Sequence, residues 1–202
     1  MRTMDTARLT LLEPPCAPQP PDARSILIET AGSFPVVQPR ERRQSIRAVT
    51  PADTALLADL IARLSDNARR LRFFRPLPHA ELIWQEAARV TQREPHMGVA
   101  LVAIMLERGQ ACAIALAELV HDPAAPGVAE LAVMVRDDEQ RSGMGTLLLR
   151  RLIALARRRD VRVLRATLQA ENWPARHLLR KLGLSYRTEI QHGELTAWAE
   201  LP

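Results

Sequence analysis

At 202 residues, 47% hydrophobic and 25% charged, the chain fits one ordinary globular domain plus an appendage and is too short for two comfortable domains. No apolar run approaches the roughly 18 to 20 residues of a membrane span, and the start of the chain carries an early acid and only a brief apolar stretch, so neither a membrane partner nor a secretory signal is expected. The net charge of +5 comes almost wholly from arginine, Lys181 being the only lysine, and Cys16 and Cys112 lie too far apart for a disulfide framework or a metal site, which leaves a reducing cytoplasm as the expected setting.

Residues 1–43 hold Pro14, Pro15, Pro18, Pro20, Pro21, Pro35 and Pro39 with no helical period, and read as an irregular N-terminal arm. Regular patterning starts at Gln44, so a domain is expected over 44–202. Ser45–Val49 reads as a strand. Thr50-Pro-Ala-Asp53 then supplies a cap, a proline at the first helical position and an acid behind it. Leu56, Leu57, Leu60, Ile61 and Leu64 follow at helical spacing, which predicts a helix over Pro51–Leu64. Ser65 caps a shorter one over Asp66–Phe74, Pro76 and Pro78 end it, and a third helix runs from His79 to Gln92.

Val99–Leu106 and Ala111–Val120 are dense apolar runs joined by the hairpin signal Glu107-Arg-Gly-Gln110, and Val128–Val135 is a third such run. Continuous runs of this kind suit central strands covered on both faces. Thr146–Arg159 is an amphipathic helix, Val161–Leu168 a strand, Pro174–Leu182 a helix stopped by Gly183, and Leu184–Thr188 and Leu195–Leu201 the last two strands. The order is one strand, three helices, three strands, helix, strand, helix and two strands. It predicts an α/β domain with a mixed central sheet flanked by helices.

The most informative segment is Gln140-Arg-Ser-Gly-Met-Gly145, set between the strand Val128–Val135 and the following helix. A glycine-bearing turn there points several backbone N–H groups at one spot, and the helix dipole adds about half a positive charge. Gly143 and Gly145 let a phosphate approach the backbone, Arg141 adds a cation and Thr146 a hydroxyl. An ATP-type loop needs Gly-Lys-Ser/Thr, which is absent, and the dinucleotide fingerprint needs a third glycine where Leu148 stands.

This turn resembles the acyl-CoA-binding motif of the GNAT superfamily of N-acyltransferases. The resemblance continues at Glu171-Asn172-x-Pro174 and at Leu178-Leu-Arg-Lys-Leu-Gly-Leu184, and the element order matches the family fold over 44–202. Ser65 with Arg70-Leu-Arg-Phe-Phe74, Ala129-Glu130 and Arg136-Asp-Asp138 is similar to the GNAT domain of bacterial protein lysine acetyltransferases. The resemblance implies a GNAT-like fold and acetyl-CoA as cosubstrate. It implies that the backbone of Val133, Met134 and Val135 pairs with the pantetheine arm. The amides of Arg141, Ser142, Gly143, Met144, Gly145 and Thr146 would hold the pyrophosphate, with Gln140 a further cofactor-binding residue and Asn172 beside the cofactor.

Moving an acetyl group onto an amine needs a base, because a lysine-like amine is protonated at neutral pH. Glu130 is the only charge in Val128–Val135, and in resembling families a glutamate at this strand position serves as that base; a structurally paired glutamate is the plainer reading. The usual acid is a tyrosine, but Leu179 holds its place and the only tyrosine is Tyr186. Arg70 and Arg72 are candidates for the acceptor groove or the CoA 3′-phosphate. The expected activity is direct transfer to a primary amine, either a protein lysine or a small molecule, in a ternary complex. A non-catalytic acyl-CoA sensor is the alternative, motivated by the missing tyrosine and the arm. Nucleic acid is not an expected partner, and a homodimer is the assembly allowed for. His79, His96, His121, His177 and His192 form no metal-ligand spacing, so no metal is expected.

Overall fold

The computed structural model describes residues 44–201; the arm expected over 1–43 lies outside the described residues. β1 (Gln44–Ala48) leads through a 3-10 turn at Pro51–Asp53 into α1 (Thr54–Ala62), followed by α2 (Asp66–Phe73) and α3 (Ala80–Thr91). Then come β2 (Gly98–Glu107), β3 (Gln110–His121), β4 (Val128–Val135), α4 (Met144–Arg157), β5 (Val163–Gln169), α5 (Trp173–Lys181), β6 (Tyr186–Gln191) and β7 (Glu194–Glu200). The seven strands form one mixed sheet in the order β1-β2-β3-β4-β5-β7-β6. Every neighbouring pair is antiparallel except β4 with β5, which is parallel.

Local chemistry fixes several element boundaries. The Thr50 amide and hydroxyl donate to Asp53 Oδ2 at 2.7 and 2.8 Å, and Arg47 closes the same carboxylate from β1. That cap explains why the predicted helix from Pro51 begins as a tight 3-10 turn before α1. Ser65 accepts from the Ala68 amide at the start of α2. Arg108 and Gly109 both have positive φ, at 50° and 83°, as the two-residue hairpin between β2 and β3 requires. The expected strand at Leu184–Thr188 starts later, at Tyr186, because Leu184 packs into the core behind α5 and only the residues after it pair with β7.

Both faces of β2, β3 and β4 are covered, as their unbroken apolar runs require. On one face Leu148, Leu149 and Leu152 of α4 pack on Leu101, Leu119 and Ala129. On the other, Leu57, Leu60 and Ile61 of α1 and Val90 of α3 pack on Val102, Leu116 and Met134. A residue's place along β4 therefore decides which side of the sheet it serves: Val133 and Val135 belong to the α4 side, Met134 to the α1–α3 side. Gly98, where β2 begins, has no room for a side chain. A Cβ there would lie 2.3 Å from the Leu119 carbonyl oxygen.

Candidate active site

The parallel pairing of β4 and β5 covers only three positions, Val128 with Val163, Ala129 with Leu164 and Glu130 with Arg165. Beyond Glu130, β4 continues to Val135 paired with β3 alone, and beyond Arg165, β5 continues to Gln169 paired with β7 alone. The strands thus part at Glu130 into a V, with the backbone of Val133, Met134 and Val135 along one arm.

The turn after β4 folds back onto this opening. Gln140 Nε2 donates to the Val135 carbonyl at 3.3 Å, and the Ser142 hydroxyl donates to the Glu139 carbonyl at 2.7 Å. Arg141 and Gly143 take left-handed φ values of 62° and 88°, which swing the chain into α4. Arg141 is exposed, and the space where a Gly143 side chain would stand is open. Gly143 is the N-cap and offers no side-chain acceptor; the closest substitute is Ser142 Oγ, 3.4 Å from the Met144 amide. By helix geometry the first-turn amides of Met144, Gly145 and Thr146 have no intrahelical carbonyl to bind. A Cβ at Gly145 would meet the Val135 and Leu178 side chains at 3.5 Å, ordinary contact, so the start of α4 packs closely on β4 and α5. Open donors at the positive end of a 14-residue helix suit a pyrophosphate, and the unpaired backbone of the V beside them suits an extended arm.

Glu130 sits at the fork, half-exposed. Its Oε2 accepts from Arg165 Nη2 at 3.1 Å, and Arg165 Nη1 reaches Asp122 at 3.0 Å. The hydrogen bond to Glu130 raises the Arg165 pKa above its ordinary value, against the lowering effect of burial. The structure therefore brings Glu130 to the V and also gives it the partner that the plainer reading anticipated. Asn172 Oδ1 accepts from the Ala175 amide at 3.1 Å and so caps α5. Leu179 packs against Leu168, Leu195 and Ala197, and it lines an apolar gap with Leu131, Leu164, Ala166 and Tyr186.

α2 spans the mouth of the V. Ser65, at its start, donates through its amide and hydroxyl to Asp137 beyond β4, at 2.9 and 2.8 Å. Arg70 pairs with Gln169 at the end of β5 and with Glu171 at 3.1 Å. Arg72 turns inward to Glu118 of β3. Of the two arginines considered for a groove or a phosphate, one ties α2 to β5 and the other is held inside.

Glu118 is the residue that sequence reasoning missed. It is 1% exposed and flanked on β2 and β4 by Ala100 and Ala132. Arg72, Arg93 (2.6 Å) and Arg89 (3.5 Å) converge on its carboxylate. Burial pushes its pKa up, but the three guanidiniums outweigh burial and hold it below the ordinary carboxylate range. The available signal was a lone acid in the apolar run Ala111–Val120, the same signal that singled out Glu130.

A family model described as an acetyltransferase (GNAT) domain matches residues 43–185. The chain belongs to the GNAT acetyltransferase family. Among solved structures, the GNAT domain of S. lividans PAT is 25% identical with a TM-score of 0.67, covering 77% of this chain and 89% of that one. Two others share the fold at lower identity. The spermidine N-acetyltransferase of Vibrio cholerae, solved with CoA and spermine, is 16% identical with a TM-score of 0.59, covering 78% and 95% of the two chains. A putative acetyltransferase, yncA, of Salmonella typhimurium, solved with acetyl-CoA, is 21% identical with a TM-score of 0.56, covering 78% and 92%. Among the described residues of this acetyltransferase there is no cluster of three or more His, Cys, Asp or Glu side chains placed to hold a metal ion, and no helix is long and apolar enough to cross a membrane.

Proposed function

We propose that this acetyltransferase moves the acetyl group of acetyl-CoA to a primary amine, a protein lysine or a small molecule, by direct attack while both are bound. The observation that carries the reading is the parting of β4 from β5 at Glu130, beside a helix N-terminus with open amides. Acetyl-CoA supplies a thioester whose carbonyl carbon is open to a neutral amine. The amides of Arg141 to Thr146 hold the pyrophosphate, with Arg141 as the added cation, and Gln140 braces the turn against Val135 at the cofactor's edge. The backbone of Val133, Met134 and Val135 lines the arm, Val135 polarises the thioester carbonyl, and Asn172 flanks the cofactor from α5.

Glu130 takes the proton of the incoming ammonium, directly or through water. With an amine pKa near 10.4, removing this proton at neutral pH needs such a base. No tyrosine stands at Leu179 to return a proton to the departing thiolate. A thiol pKa of about 8.5 makes that group stable enough for solvent to do so. The reading carries with it a reducing, cytoplasmic setting, no metal, and a homodimer as the assembly to test.

Glu130→Gln tests the chemistry. Turnover should fall roughly 10²–10⁴-fold while calorimetric titration still shows acetyl-CoA binding; an unchanged rate removes Glu130 from the mechanism. The ion pair between Glu130 and Arg165 favours one rival, a sensor that binds acyl-CoA without transfer. Radiolabelled acetyl-CoA offered with a panel of amines and lysate proteins separates the two. Tight binding with no labelled product supports the sensor.

A further inference from the structure

The arginines around Glu118 outnumber the acids they meet. Among the described residues, Arg72, Arg75, Arg89 and Arg93 pair with two carboxylates, Glu118 and Glu86. Two donors inside the cluster, Arg72 Nε and Arg93 Nη1, are buried with no hydrogen-bond partner among the described residues. The Arg93 side chain is only 10% exposed, so its guanidinium cannot turn out to water, whereas Arg89 is 47% exposed and opens the cluster to the outside. A buried guanidinium N–H without an acceptor is costly, and an excess of positive charge in a part-buried site favours an anion.

The cluster lies on the same sheet face as the fork. Glu118 stands opposite Ala132 on β4, two residues from Glu130, and both side chains point to the α1–α3 side. Diagonal neighbours of this kind are roughly 7–8 Å apart. A group bound by Arg72 and Arg93 would therefore sit within one extended alkyl chain of the base. α2 spans the mouth of the V through Ser65 and Arg70 and holds Arg72 on its inner side, so the cluster lies directly behind that mouth, with half-exposed Arg89 as its opening.

We propose that the acceptor is an amine bearing a carboxylate a few atoms away, and that Arg72, Arg93 and Arg89 bind that carboxylate while the amine reaches Glu130. The proposal rests on the acetyl-transfer reading above for the place of the amine. A four-methylene spacer, as in lysine, fits the separation. The same chemistry is offered by a free amino acid and by a peptide lysine next to an acidic residue.

Two matched pairs of probes test it. Free lysine and cadaverine differ by the carboxylate alone, and a blocked Glu-Lys peptide and its Gln-Lys counterpart differ by one side-chain charge. Binding is measured by calorimetry on the full chain with CoA present, and acetyl transfer is measured separately. In at least one pair the carboxylate-bearing member should bind about 10- to 100-fold more tightly, and the pair that responds identifies the source. That preference should shrink as salt is raised and fall towards one in Arg89→Gln, a substitution at a half-exposed position that spares the core. Arg72→Lys keeps the charge but not the fork of donors and should retain only part of it. Equal affinities within both pairs overturn the proposal even where transfer occurs. A binding preference without transfer leaves it standing and counts instead against the acetyl-transfer reading.

Discussion

At the scale of single residues, the chain places two carboxylates on one sheet face and treats them in opposite ways. Glu130 is half-exposed with one guanidinium; Glu118 is enclosed by three. Glu118 thus ties α2 through Arg72 and α3 through Arg89 to β3. Replacing it by Gln leaves three guanidiniums without their counter-charge and should cost about 3–5 kcal/mol, read from the shift in urea midpoint at pH 7. The folded-state pKa values of Glu118 and Asp53 are both depressed. A depressed carboxylate contributes stability that is present above its unfolded pKa, about 3.9 for Asp and 4.3 for Glu, and is lost as pH falls through the folded value. Stability should therefore drop on acidification below about pH 4, and Glu118→Gln should flatten part of that slope. A slope identical in the variant and the parent would mean that Glu118 is not one of the groups responsible.

At the scale of elements, the strands and helices were legible because their periodicities are unmixed. The apolar runs of β2, β3 and β4 announced strands covered on both sides, and Ser65, Pro51 and Gly183 marked helix ends correctly. The glycine-bearing turn after β4 was legible as a turn through its glycines and its place between a strand and a helix. The divergence of β4 from β5 was not, since nothing in Val128–Val135 or Val163–Gln169 encodes where a parallel pairing stops. Nor were the partners of Glu130 and Glu118: Arg165, Arg72, Arg89 and Arg93 come from other elements, and a single sequence does not say which arginine meets which acid. Gly98 passed unnoticed for a related reason, because its constraint comes from the neighbouring strand. Gly98→Ala would drive a methyl group into the Leu119 carbonyl, which is backbone and cannot rotate away. The variant should lose about 3 kcal/mol in chemical denaturation. Full tolerance of alanine there would show that β2 and β3 can separate at that end.

At the scale of the whole molecule, the sheet divides the labour between its faces. α4 and α5 lie on the side of the turn proposed to bind the pyrophosphate, and α1, α2 and α3 on the side that carries Glu118 and the proposed acceptor wall. The two substrates of the proposed reaction would meet at the fork from opposite faces. Every residue named in this arrangement lies at or after Gln44. A chain beginning at Gln44 should keep its acetyl-CoA affinity within a factor of about two, measured by calorimetry. A large loss would assign the first 43 residues a part in the cofactor site and end their reading as a separate arm.

The early end of the β4–β5 pairing has one more consequence. A sheet normally keeps its unpaired edges at its rims, where charges and short strands guard them. Here two further edges lie in the middle of the sheet, along Val133–Val135 and Ala166–Gln169. A pantetheine arm seated between them would act as a substitute strand, so the protein would be a continuous sheet only while loaded. Amide hydrogen exchange at 133–135 should slow on adding CoA, while the already paired amides of β3 stay as they were. Each turnover would then undo and remake a seam in the fold, making release of the spent carrier a structural event as well as a chemical one.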